Sequence, residues 1–527
     1  MKHKNLFLVV ALVLGWLVDL LFWKKSVGIS FLVWTTMILA GGLLLSRVES
    51  VRISRWSLLL GALALVAAAT VAFRQEGLTV FLAVMAALGS LWLLALTWRN
   101  GYWVRFRVRD HVESGFWAGV AAFTRTPELL KAEQGEEGAV QVSGWRRFWH
   151  SVGPIVLGIL ITLPVVAALA SLLASADLVF ADRLGALLEL LDLNRLPEYV
   201  FRLFYILVLA YLLGGLLLHA ILPRREMSRP DPDSPWLHPF LGWTETVILL
   251  GSMVALFAFF VVIQFQYLFG GGANITQAGY TFAEYARRGF NELVSVAILT
   301  LAIYMLLATV SRRENQSRRR LFSILTVLMF GLVIVMMVSA WMRLGLYEQA
   351  YGFTQLRTYT HFFIPWLGAL LAGVIILELV GKRGWAPLVL LVLCYGFTFT
   401  LAAVNVDGYI ARQNIRRALD AQALDVSYLA RLSDDAIPVM IEMVQMSDLP
   451  DEPRTRLMVE LACRAALQSE EQAQPWQSFN ISRSQAARLL NENSGLWQDF
   501  HAGKAAGSWT IQHGRNTYNC PAWYGMD

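Results

Sequence analysis

Eleven apolar runs, each about as long as a bilayer crossing, recur along the 527 residues of this chain. A hydrocarbon core of roughly 30 Å takes about 20 helical residues at 1.5 Å each. Within lipid the backbone must satisfy its own hydrogen bonds, and a helix does so. The runs cover roughly 5–23, 27–45, 56–73, 77–98, 152–174, 200–222, 244–268, 293–310, 321–342, 362–380 and 387–404. They predict an all-α, polytopic membrane protein with about eleven spans. Composition agrees. Hydrophobic residues make up 57% and charged residues 16%, with a mean hydropathy of +0.52. A soluble domain carries about 25% charged residues, so this chain has too few charges to cover a water-facing surface. Its 19 Trp suit the boundary between lipid and water.

Loop charges set the expected orientation. Lys2 and Lys4 precede the first run, but no small-x-small cleavage pattern follows Trp23, so this run reads as an uncleaved span. The N-terminus and the loops after spans two, four, six, eight and ten carry 23 Lys and Arg, against 9 in the other set of loops. Basic loops stay in the cytoplasm. An odd number of spans then places the N-terminus inside and the C-terminal tail outside.

Four regions follow from this layout. Residues 1–98 hold the first four spans, and 99–151 form a basic cytoplasmic loop with apolar Phe116, Val120 and Phe123 on a stretch expected to lie on lipid. Residues 152–404 hold the remaining spans. Within them 175–199, with Leu184, Leu187, Leu188 and Leu191 on one face, reads as an outer amphipathic segment, and 269–292 and 343–361 read as outer loops too polar for lipid. Residues 405–527 read as a small helical domain. There Ser482 to Gln485 matches a capping box, Pro453 suits a first helical turn, and Leu457, Leu461 and Ala465 share an apolar face. Three cysteines exclude a disulfide-rich scaffold. Cys394 falls within a span, which leaves Cys463 and Cys520 as the pair for one disulfide if the tail faces an oxidising compartment.

Motifs for several chemistries are missing. The sequence has no Gly-x-x-x-x-Gly-Lys phosphate loop, His-Glu-x-x-His zinc site or Gly-x-Ser-x-Gly nucleophile elbow. No metal or cofactor is expected, and no nucleic-acid partner, because the net charge of +6 sits mostly in short loops. Polar residues gather instead at the predicted outer ends of the later spans. Arg288 and Glu292 lie one turn apart before the eighth span. Arg343, Tyr347 and Tyr351 would share one helical face, and Arg357 with His361 another. Asp407 and Arg412 follow the last span. Nearer the first span, Asp19 reads as a partner of Lys24 or Lys25. Glu378, near an inner span end, reads as wetted.

Three ordered strings carry a resemblance: Tyr285-Ala-Arg-Arg-Gly-Phe-Asn-Glu-Leu293, Arg343-Leu-Gly-Leu-Tyr347 continuing to Arg357, and Asn405-Val-Asp407 continuing to Arg412-Gln-Asn414. Over about residues 200–440 the chain resembles the bacterial membrane family known as domain of unknown function 4153/4173. The resemblance implies a polytopic inner-membrane protein and supplies no activity. Three readings of the charged residues stand open. They tie helix ends together as ion pairs, they hold an anionic small molecule or lipid head group, or Glu292 or Asp407 serves as a general base. The matching function classes are transport or envelope sensing, a membrane enzyme acting on a lipid-linked substrate, and an assembly scaffold.

Overall fold

The structure, a computed structural model, describes residues 3–127, 196–222, 239–268, 290–419, 424–470, 474–505 and 508–520, with six single positions between 166 and 180. Ten helices among these residues are long and apolar enough to cross a membrane. They are α1 (Lys4–Phe22), α2 (Ile29–Val48), α3 (Arg55–Phe73), α4 (Gly77–Thr97), α6 (Leu196–Ile221), α7 (Trp243–Leu268), α8 (Phe290–Val310), α9 (Gln316–Tyr351), α10 (Gln355–Val380) and α11 (Ala386–Val404). Each coincides with one predicted run. The run at 152–174 and the segment carrying Leu184 to Leu191 lie outside the described residues, apart from single positions.

Large apolar side chains such as Val9, Leu12 and Trp16 on α1 stay exposed, as expected where lipid is the solvent. Inside the bundle α1 packs on α6 and α3 on α4, while α9 packs between α7 and α10. The first group shares a core that includes Phe7, Leu60 and Leu218; the second shares one built on Leu250, Phe330 and Leu371. Helix α5 (Val108–Thr124) lies against α6. A Cβ on Gly215 would strike the carbonyls of Ala121 and Ala122, so only glycine permits this approach. Arg125 then donates to the carbonyls of Leu218 (3.0 Å) and Leu222 (2.6 Å), capping the end of α6. The opposite face of α5 leaves Phe116 and Phe123 exposed.

Three local expectations are corrected. Residues 343–361 are not a loop. Helix α9 runs on to Tyr351, breaks at Gly352, and α10 begins at Gln355. Asp19 pairs with neither Lys24 nor Lys25 but with Arg202 on α6, at 2.8 and 2.5 Å, while Lys25 donates to the Leu20 carbonyl. Lys24 instead meets Glu198 at 2.9 Å. Glu378 is buried, not wetted. Arg383 donates to both its carboxylate oxygens, and Ser323 (2.7 Å) and Tyr304 (2.9 Å) complete its shell.

After α11 the chain turns at Asn405, whose φ is +54°, into α12 (Val406–Leu419). The tail continues with α13 (Ile437–Val444), α14 (Asp451–Glu470) and α15 (Ile481–Glu492). One hydrophobic cluster runs from Leu401 through α12–α15 to Cys520. Leu457 and Leu461 are fully buried in it, and Pro453 lies in the first turn of α14. The cap of α15 is Asn480 rather than Ser482, accepting from the Arg483 N–H at 3.2 Å. The tail also contains a feature that its sequence did not suggest. An antiparallel sheet in the order β1 (His501–Ala505), β2 (Ser508–His513), β3 (Asn516–Asn519) follows α15, with Ile511 opposite Ala502 and Tyr518. A disulfide joins Cys463 on α14 to Cys520 just beyond β3.

Candidate functional site

The C-terminal end of α9 is the natural starting point, because its last carbonyls have no partners within the helix. Arg357 donates to the carbonyls of Tyr351 (3.3 Å) and Gly352 (2.7 Å). Arg417, on α12, donates to those of Gln349 and Ala350, each at 3.1 Å. Two guanidinium groups thus cap one helix end, where the helix dipole also favours positive charge. Gly352 has φ +83°, and a Cβ there would lie 2.6 Å from Arg417 Nη1. Arg357 also stacks over Tyr347, with 4.2 Å between guanidinium carbon and ring centre, and Tyr347 meets Tyr351 edge-on at 5.0 Å. Burial and the neighbouring Arg357 both lower the pKa of Arg417.

Beside this capped end lies a second group, of carboxylates. Asp407 on α12 is fully buried. Its oxygens accept from Gln355 Nε2 (2.8 Å) and from the Ser433 N–H (2.7 Å). Burial raises its pKa above the ordinary carboxylate value; the two hydrogen bonds oppose that rise and the charge of Glu76 adds to it. Glu76 is itself buried and caps α4 by accepting from the amides of Leu78 (2.7 Å) and Thr79 (2.9 Å), while the Tyr359 hydroxyl donates to it. Tyr428 accepts from the Gln355 N–H at 2.7 Å, and burial pushes its phenol upward.

Residues of the tail complete the arrangement. Asp435 accepts from the amides of Gln75 (2.8 Å) and Glu76 (3.0 Å), the short connector between α3 and α4. Asn480 donates to the carbonyls of Val71 (3.1 Å) and Arg74 (3.0 Å). The Phe479 carbonyl accepts from the Ile29 N–H at 2.9 Å, and a Cβ on Gly28 would lie 2.5 Å from it. The connectors before α2 and before α4, and the start of α10, are therefore all held by α12 and the tail.

The predicted residues divide among these groups. Tyr347, Tyr351 and Arg357 come together, and Asp407 stands near them through Gln355, two residues before Arg357. Arg343 is buried on α9, one turn before Tyr347. Arg412 faces the tail and pairs with Glu442 at 2.8 Å. Glu292 is exposed in the first turn of α8, and Arg288 lies outside the described residues. Sequence reasoning missed Glu76, Asp435 and Asn480. A charged tripeptide, Arg74-Gln75-Glu76, as the whole link between two spans was the available signal for the first. Among the described residues no group of His, Cys, Asp and Glu is arranged to hold a metal ion.

The family model described as domain of unknown function DUF4153 matches residues 60–443, which include every group described above except Asn480 and the contact of Phe479 with Ile29. Comparison with curated proteins gave no match, nor did comparison with solved structures.

Proposed function

This chain belongs to the DUF4153 family, and from that premise we propose that it senses the state of the bacterial envelope, with a tail outside the inner membrane whose docking is read by the bundle. The observation that carries this reading is the grip of Asp435 and Asn480 on the connector between α3 and α4. A ligand or envelope component that shifts the tail must also break hydrogen bonds of the bundle. Coupling requires contacts that differ between two states, and in this reading these hydrogen bonds are the ones that change. The cations of the junction suit a structural part. Arg357 and Arg417 serve main-chain carbonyls, and Arg412 pairs with Glu442. The Cys463–Cys520 bond supports an oxidising compartment for the tail, and the basic loops support a cytoplasmic N-terminus.

Hydrogen exchange on the full-length protein in nanodiscs tests the coupling. Asp435→Ala leaves two amides unpaired, at about 1–3 kcal/mol for each buried one. Faster exchange is expected both around 75–79, whose Gln75 and Glu76 amides donate to Asp435, and around 480–486, which is held to the same connector through Asn480 instead. Faster exchange confined to 75–79 would refute coupling.

A further inference from the structure

At the end of the bundle opposite the tail, a cleft between α3 and α11 plays no part in the junction. Its volume is about 830 Å³, within the roughly 300–1,000 Å³ of pockets that hold small organic ligands. Leu59, Leu63, Leu388 and Val392 form its walls. Tyr395 lines it as well, but its hydroxyl is already engaged by Ser90 and the Ala86 carbonyl. The walls therefore offer an occupant apolar surface and little else.

The mouth differs in chemistry. A single turn, Tyr102–Arg105, brings Arg105 to the cleft together with Asn100, and Trp56 and Trp385 stand beside them. Gly101 makes this possible. Its φ is +63°, and any Cβ would strike Ser54 and Trp56, so the turn rests directly on the start of α3. Trp103 Nε1 fixes it there by donating to the Trp56 carbonyl at 3.2 Å. Among the described residues no carboxylate pairs with Arg105, whereas Arg107 meets Asp110 at 3.6 Å and Arg109 meets Glu113 at 3.4 Å. Arg99, exposed on the same connector, adds positive charge.

An apolar cleft, then indole rings, then a cation repeats the order of a phospholipid from chain to phosphate. We propose that this cleft is a specific site for one anionic phospholipid, with an acyl chain between α3 and α11 and the phosphate on Arg105. Guanidinium matches phosphate with two parallel N–H···O bonds, which fixes position as well as charge. A lipid of the general annulus needs no such fit, and that difference can be measured.

Native mass spectrometry of the full-length protein, offered phosphatidylglycerol or phosphatidylcholine, counts the lipids retained. One phosphatidylglycerol should be kept at least about tenfold more tightly than phosphatidylcholine. Arg105→Ala should weaken it by about tenfold or more, the scale of one lost charged hydrogen bond. Arg109→Ala should leave retention unchanged. Val392→Trp, at an exposed wall position, should fill the cleft and lower retention with Arg105 intact, and it decides the matter if Arg105→Ala fails to fold. Equal retention of the two lipids, equal losses in the two arginine variants, or unchanged retention in Val392→Trp would each overturn the proposal.

Discussion

The carboxylate of Asp407 is fully buried and faces two neutral donors, Gln355 and the Ser433 amide, with the charge of Glu76 acting on it. Its pKa is raised in the folded protein above the value of about 3.9 expected when unfolded. Between those two values the folded state binds more protons than the unfolded one, so stability falls as pH rises through that window. Acidification from neutral pH should therefore tighten the junction. Asp407→Asn should lose about 1 kcal/mol or more at pH 7, since its amide faces one of the two donors, and should flatten the pH slope. Thermal unfolding from pH 7 to 5 measures this, and identical slopes in the two proteins would contradict it. Asp19 shows the other way to hold an acid within a bundle, since it has Arg202 on two bonds and the Tyr205 hydroxyl as a third donor. Asp19→Ala removes these bonds while Arg202, partly exposed, keeps its contacts with Trp23 and Tyr199, and should cost about 1–3 kcal/mol. Adding Arg202→Ala to it should cost less than Arg202→Ala alone, giving a coupling energy well above zero in the double-mutant cycle.

The last strands of the tail depend on a covalent link. β3 has four residues and β1 five, and neither carries an alternating apolar face. Short strands of this kind are only marginally stable alone. Ile511, which is buried, and the Cys463–Cys520 bond attach the sheet to α14. The bond closes a loop of 57 residues, which by chain entropy adds about 4 kcal/mol. Reduction, or Cys520→Ser, should release residues 501–520 to protease while α12–α15 stay protected. Alkylation of both thiols without prior reduction would show that the bond is not formed. The contrast with the helices explains what could be read from sequence. A bilayer crossing is a local property of about 20 consecutive residues, so ten spans were legible. Strand pairing is not local, and β1–β3 offered neither alternation nor length. Residues 343–361 were read as a loop because their polarity was set against lipid, while α9 keeps its helix after the apolar run ends. The strings around Arg357 and Asp407 were visible, yet Asp435 meets Gln75 across 360 residues, a distance at which no spacing rule operates.

Orientation ties these observations to the membrane. Loops with the most Lys and Arg include Ser311–Arg320 and the stretch before α5, and both lie at the end opposite the tail, where α3, α9 and α11 begin. The tail end holds the buried carboxylates of Glu76, Asp407 and Asp435 and the disulfide. Because short basic connectors are retained in the cytoplasm, the two ends should face different compartments. α4 ends and α6 begins at opposite ends of the bundle, since α4 starts at the tail-held connector and α6 starts with Glu198 beside Trp23 and Lys24, in the connector leading to α2. In sequence the apolar run at 152–174 falls between these two helices, and its length matches one bilayer crossing. Reporter fusions at Gln134 and after Asp527 should then give opposite signals, cytoplasmic for the first and extracytoplasmic for the second. Cytoplasmic signals at both would remove the odd number of spans, place Cys463 and Cys520 in a reducing compartment, and take away the envelope as the thing sensed.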